Sequence, residues 1–245
     1  MAILGNWVHI QTYVKDYKKA WEYYKQFDFQ KVHQSIFGNY WFVDLTDGNI
    51  HLILSDNPLN TTGLCYFSTD IIPILKKIES LKININQKYE DNGKLASFWF
   101  NDPNGVVIQI VDWDVTEYHK NQGVAVTKFG KFQELSIETT KFEETKAFWE
   151  QLGFGEDYPF LDKKPRWGGM TDGLINIGLY ELGACPHVFG TPAITYFEAK
   201  DMPERIQRLK NEGITFIQEM KEGDFESAHA ILKTPDNQLF FLFMC

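Results

Sequence analysis

The sequence has few cysteines, and it has no long apolar run. Its three cysteines, Cys65, Cys185 and Cys245, are an odd number without the short Cys-x-x-Cys spacing of a structural zinc site, so we expect reduced thiols. No stretch approaches the roughly 18 to 20 apolar residues of a membrane span. The N-terminus lacks the charged and apolar regions of a signal peptide. These absences predict a cytoplasmic protein without a membrane partner.

Positive charge is also scarce. The chain has 24 basic and 33 acidic residues, a formal charge of −9, and its only arginines are Arg166, Arg205 and Arg208. Nucleic acid is therefore excluded as a partner, because its phosphates require a basic surface. The glycine-rich phosphate loop and the Gly-x-Ser-x-Gly elbow are missing too, which argues against nucleotide hydrolysis and serine-hydrolase chemistry.

The chain contains an internal repeat. Thr46-Asp47-Gly48 recurs as Thr171-Asp172-Gly173, and at the same offset Tyr23-Tyr24 falls on Phe148-Trp149. Such self-similarity predicts a duplication of roughly 120 residues. The polar stretch around residue 122 has linker composition. We therefore predict two domains, residues 1–121 and 122–245.

Each copy alternates one strand, one helix and several strands. In the first copy, apolar and polar residues alternate from Val8 to Val14, as in a half-buried strand, and Asp16 is a candidate N-cap for the helix that follows. Tyr40 to Leu45 and Asn49 to Leu54 flank a turn and predict a hairpin. The same plan recurs after Leu64, and twice more in the second copy. The pattern predicts an α+β protein of four tandem βαβββ modules.

The turn Asp102-Pro103-Asn104-Gly105 before Val106 to Ile110, and the opening run from His9 to Phe29, resemble the vicinal oxygen chelate superfamily. This superfamily includes glyoxalase I, bleomycin-resistance proteins and extradiol dioxygenases. The resemblance covers nearly the whole chain. It implies that each pair of modules curls into a glyoxalase-like, cup-shaped mixed sheet of eight strands with flanking helices and a site inside the cup.

The resemblance also implies metal-ligand positions on the first and last strands of each module. In the first copy they hold His9, His51, Gly63 (or Leu64) and Gln109. Strand alternation predicts that His9, His51 and Gln109 point into the cup. These three are our predicted ligands for a divalent metal, with iron, manganese, nickel and zinc as the candidates. Because family members usually have glutamate at the last position, Gln109 removes a negative charge.

The second copy differs at the same positions, which hold Glu134, Asn176, Ile194 and Phe241. A metal is not expected there. Glu134 is our candidate catalytic residue, as a general base inside a cup. The remaining histidines are assigned to surface or structural roles: His33, His119, His187 and His229.

Two functions remain open. One is a metal-dependent small-molecule enzyme, of lyase, isomerase or ring-cleaving dioxygenase type, with its site in the N-terminal cup. The other is a metal-free protein of the bleomycin-resistance kind that sequesters an apolar or aromatic small molecule. The sequence leaves open whether modules pair consecutively, and whether the protein is a monomer or a homodimer.

Overall fold

A computed structural model describes residues 3–37, 39–119, 127–185, 189–198 and 200–244. The predicted domain boundary at residue 122, His187 and Cys245 lie outside the described residues. Among the described residues, no helix combines the length and the apolar character needed to cross a membrane.

The first half contains eight strands and two helices. The opening strand and helix confirm the sequence prediction: Asp16 Oδ1 accepts hydrogen bonds from the backbone N–H groups of Lys18 and Lys19 and so caps the first helix. A 3₁₀ turn, Thr116–His119, follows the last strand. The elements are β1 (Trp7–Tyr13), α1 (Tyr17–Lys25), β2 (Gln30–Phe37), β3 (Tyr40–Thr46), β4 (His51–Ser55), β5 (Gly63–Ser68), α2 (Ile72–Ser80), β6 (Gln87–Asp91), β7 (Lys94–Asn101) and β8 (Val107–Asp112).

The second half repeats the order of elements. Its first helix again follows its first strand directly, as the internal repeat predicts. The elements are β9 (Lys131–Thr139), α3 (Phe142–Gln151), β10 (Gly155–Tyr158), β11 (Trp167–Thr171), β12 (Asn176–Glu181), β13 (Ala193–Glu198), α4 (Met202–Asn211), β14 (Gln218–Glu222), β15 (Phe225–Lys233) and β16 (Leu239–Met244).

Each half forms one mixed, eight-stranded sheet, and the two sheets have the same strand order. The first runs β2-β3-β4-β1-β5-β8-β7-β6 and the second runs β10-β11-β12-β9-β13-β16-β15-β14. In each sheet the first strands of two consecutive modules are antiparallel neighbours, β1 with β5 and β9 with β13. The modules therefore pair consecutively, and the predicted α+β fold of four βαβββ modules is confirmed.

One large apolar core joins the two halves. Tyr24 on α1 contacts Phe240 on β16, with ring centroids 5.9 Å apart, and Phe100 on β7 contacts Phe148 on α3, at 6.5 Å. The core packs against one face of each sheet, and the opposite faces carry separate smaller clusters. These opposite faces are the insides of the two cups.

Candidate metal centre

The centre of the first sheet places the predicted ligand positions in one row. The parallel pairing of β1 with β4, Ile10 with Leu52, puts His9 beside His51. Across the other edge of β1, His9 lies opposite Cys65, and Cys65 pairs with Gln109. The sequence assigned the third position to Gly63 or Leu64. The strand register corrects it to Cys65, because Cys65 pairs with both His9 and Gln109, whereas Leu64 points into the core on the other face.

Three imidazoles meet at one end of this row. One nitrogen from each of His9, His51 and His119 lies within 4.8 Å of the others. The rings of His9 and His51 are stacked with centroids 4.4 Å apart, and His9 Nε2 lies 3.0 Å from His119 Nε2. Two imidazole nitrogens on one tetrahedral metal, with bonds of 2.0 to 2.1 Å, would be about 3.3 Å apart. The separation of His9 Nε2 and His119 Nε2, which is also that of a hydrogen bond between the two rings, is close to this value, so the cluster could hold a divalent metal.

A carboxylate lies behind two of the imidazoles. His51 Nδ1 donates a hydrogen bond to Asp44 Oδ2 at 2.9 Å, and His9 Nδ1 lies 3.6 Å from Asp44 Oδ1. The bond to Asp44 fixes the His51 tautomer, with the proton on Nδ1 and the Nε2 lone pair free to bind a metal. His51 Nε2 is buried and has no hydrogen-bond partner among the described residues. A bound metal would satisfy that atom.

Burial shifts the pKa values of His9 and of Asp44 beside it. The pKa of His9 lies well below its usual 6.5, first because burial disfavours the cation and then because His51 and His119 are close. Burial also raises the pKa of Asp44, although the hydrogen bond and charge of His51 oppose the shift. His9 is therefore neutral at pH 7, which is the form of histidine that binds a metal.

His119 is the member of the cluster that the sequence did not assign to the site. It ends the 3₁₀ turn Thr116–His119 after β8, and its ring stacks on Trp7 with centroids 4.4 Å apart. No local pattern marks it, because it lies 110 positions from His9. Only the return of the chain after β8 brings the two together.

The curled sheet encloses a cavity of about 290 Å³ beside His9. We call it the cup cavity. Strands from both ends of the sheet order line it, through Ser35 on β2 and Ser97 on β7, so the sheet curls around it as predicted. Most of the lining is carbon, and aromatic rings supply much of it: Phe42, Phe67, Trp113 and Tyr118. Gln109 lines the same cavity from β8, two strands away from His9.

The cup of the second sheet is filled by side chains. Apolar residues form one cluster inside it: Tyr180, Phe189, Ala193, Ile231, Leu239 and Phe241. The row equivalent to His9, His51, Cys65 and Gln109 holds Glu134, Asn176, Thr195 and Phe241, so the position assigned to Ile194 is corrected to Thr195. Glu134 therefore lies in a different cup from the histidines.

Glu134 is fully buried among hydroxyl groups. Ser136 Oγ, Tyr158 OH and Tyr180 OH donate hydrogen bonds to its carboxyl oxygens at 2.8, 2.6 and 2.7 Å. Burial raises the pKa of Glu134, and these three donors oppose the shift. Gly178 leaves room for the carboxyl group, because a Cβ there would lie 2.0 Å from Glu134 Oε1.

No family model and no curated protein matches this sequence. Solved structures do match over nearly the whole chain. A catechol 2,3-dioxygenase has a TM-score of 0.60 at 13% identity, covering 97% of this chain and 90% of that chain. A mutant of homoprotocatechuate 2,3-dioxygenase from Brevibacterium fuscum has a TM-score of 0.64 at 12% identity, with coverages of 99% and 72%. The Arthrobacter globiformis homoprotocatechuate 2,3-dioxygenase has a TM-score of 0.61 at 12% identity, with coverages of 99% and 80%. The chain shares the fold of these dioxygenases, with four βαβββ modules in two eight-stranded sheets.

Proposed function

We propose that the protein is a metal-dependent enzyme acting on a small organic molecule in the N-terminal cup. The observation that carries the proposal is the cluster of His9, His51 and His119, with Asp44 bonded to the far nitrogen of His51. Three protein ligands leave a divalent first-row metal open to a substrate. A metal held there would supply Lewis-acid chemistry toward a substrate with two adjacent oxygens.

The protein's own residues have separate tasks in this proposal. His9, kept neutral by burial, and His51, kept in one tautomer by Asp44, present nitrogen lone pairs to the metal. The aromatic walls of the cup cavity, among them Phe67 and Trp113, bind the apolar body of the substrate and exclude water. The volume of about 290 Å³ suits a small aromatic compound.

We further propose ring-cleaving dioxygenation as the reaction type. Catechol and homoprotocatechuate 2,3-dioxygenases share the fold, and the cup cavity has aromatic walls next to the histidine cluster. Lyase or isomerase chemistry of the glyoxalase kind is the alternative on the same metal. Oxygen uptake with catechol as the probe separates the two, because only the dioxygenase consumes oxygen.

The identity of the third metal ligand can be tested directly. The sequence predicts Gln109, whereas His119 Nε2 lies 3.0 Å from His9 Nε2 and supports His119 instead. We would measure metal content in protein purified without chelators, comparing His51→Ala, His119→Ala and Gln109→Leu. We expect the two histidine variants to lose the metal and Gln109→Leu to retain it. His229→Ala is the control, since His229 contacts Glu222 in the other sheet.

A metal-free binding protein is the second candidate function. The carbon-rich lining of the cup cavity supports it, because an apolar ligand could be held there without any metal. Thermal stabilisation by small aromatic compounds, measured with and without added metal, distinguishes the two functions. Protein that binds no metal after reconstitution but is still stabilised would favour this second candidate and overturn the first.

A further inference from the structure

The histidine cluster separates two cavities. His9 lines the cup cavity, whereas His51 and His119 line a smaller pocket of about 160 Å³ on the side of the second domain. We call this the interface pocket. Since His9 Nε2 and His119 Nε2 are only 3.0 Å apart, the imidazoles form the wall between the two spaces. A metal held by the three histidines would therefore face both.

A gap in the sheet explains why a pocket exists on that side. The pairing of β1 with β5 begins at Trp7, but the pairing of β1 with β4 begins only at Ile10. His51 is the first residue of β4, so it lies where the two strands separate. His119, stacked on Trp7, lines the pocket at this opening.

The second domain supplies the far wall of the interface pocket. Gly173, Leu174 and Ile175 line it, and all three belong to the turn that begins at Asp172. Asp172 Oδ1 accepts hydrogen bonds from the backbone N–H groups of Leu174 and Ile175, at 2.9 and 3.1 Å. Asp172 Oδ2 accepts a bond from Tyr66 OH of the first domain, at 2.7 Å. Hydrogen bonds within the turn and from Tyr66 therefore hold this wall in place.

The two cavities differ in chemistry. The cup cavity is lined mostly by carbon, whereas about half of the lining of the interface pocket is polar, and His51, His119 and Asn49 are among its residues. A hydrated ion loses less solvation in a polar pocket than among aromatic side chains. Ordered water is likewise expected where several polar partners converge.

We propose that the interface pocket is the access route by which a hydrated divalent cation reaches the histidines, while the cup cavity is reserved for the organic ligand. The proposal rests on the proposed metal site. It gives the second domain a role in function although its own cup is filled, because the Asp172 turn builds one side of the route.

Two matched substitutions test the route. Leu174 in the interface pocket is 40% exposed and Ile36 beside the cup cavity is 57% exposed, so each can be enlarged to tryptophan without disturbing the core. We would follow Co²⁺ association with the apo-protein by stopped-flow absorbance, and Co²⁺ stoichiometry at equilibrium. Leu174→Trp is expected to slow association several-fold and to leave the stoichiometry unchanged. Ile36→Trp is expected to change neither.

The opposite pattern overturns the proposal, since slow association only in Ile36→Trp would place the route through the cup. Equal rates in both variants and the wild type, at normal stoichiometry, would overturn it as well and leave the metal site intact. Wild-type protein that binds no Co²⁺ would instead remove the proposed function, and this proposal with it. Leu174→Ala widens the pocket and is expected to speed association, which guards against an indirect effect of the tryptophan.

Discussion

The phenol of Tyr196 donates a hydrogen bond to Asp47 Oδ2 at 2.8 Å, from the second half of the chain to the first. The pair is the counterpart of Tyr66 and Asp172, which are bonded in the reverse direction at 2.7 Å. Both aspartates belong to the repeated Thr-Asp-Gly turn, and both also accept bonds from the backbone of their own turn. The repeated turn therefore also links the two copies, in addition to the apolar core that they share.

The two tyrosine hydroxyls are expected to stabilise the protein. Tyr66→Phe or Tyr196→Phe leaves a buried aspartate oxygen without its donor, which costs about 1–3 kcal/mol of unfolding free energy. Urea unfolding measures the loss. Tyr40→Phe is the control: Tyr40 is 38% exposed, and its change is expected to stay within about 0.5 kcal/mol. Variants as stable as the wild type would show that the two bonds contribute nothing.

The fold was predictable because the sequence contains two copies of the same pattern of strands and helices. The strand around His9 and the capped helix after Asp16 have clear periodicity, and each has a counterpart in the second copy. Strands at the ends of the sheets are harder to place from the sequence than those at the centre. β6 is exposed throughout and has no buried face to produce an alternating pattern.

The candidate site was only partly predictable. His9 and His51 were predicted from the superfamily resemblance, which implies metal ligands on the first and last strands of each module, and strand alternation gave them a common orientation. His119 was missed because it lies on a short turn, and only tertiary packing against Trp7 brings it to the cluster. The third strand position was placed on Gly63 or Leu64, whereas the strand register pairs His9 with Cys65. For Leu64, the shift of a single residue exchanges the two faces of the strand.

Asp44 is expected to strengthen metal binding although it is not one of the three clustered histidines. Asp44→Asn removes the negative charge behind His51, so metal affinity is expected to fall roughly 10- to 100-fold. Competition with a chelator of known affinity measures the change. Asp112→Asn is a suitable control, because Asp112 also lines the cup cavity but pairs with Lys94. If both variants weaken metal binding equally, Asp44 acts only through the negative charge that it adds near the metal, and not through its hydrogen bond to His51.

The apo-protein is expected to lose stability as the pH falls through about 6.5. Burial and the neighbouring histidines lower the pKa of His9 in the folded state, so the unfolded state takes up this proton first. Stability from this source is complete above pH 6.5 and declines below it, by at most about 1.4 kcal/mol per pH unit for one proton. Unfolding measured between pH 5 and 8 in His9→Leu should show a shallower slope than in the wild type. Equal slopes in the variant and the wild type would contradict the assignment of this pH dependence to His9.

The hydrogen bonds to Glu134 are expected to stabilise the second cup. Its carboxyl group accepts three hydroxyl bonds, so Tyr158→Phe is expected to reduce the unfolding free energy by about 1–3 kcal/mol. Tyr17→Phe is the control, because Tyr17 packs against Trp41 through its ring.

Glu134→Gln keeps the size of the side chain, removes the buried charge and should preserve the fold. If Glu134 is the predicted general base, Glu134→Gln loses turnover while its metal content and unfolding free energy remain those of the wild type. Unchanged turnover would confine Glu134 to holding the second cup together.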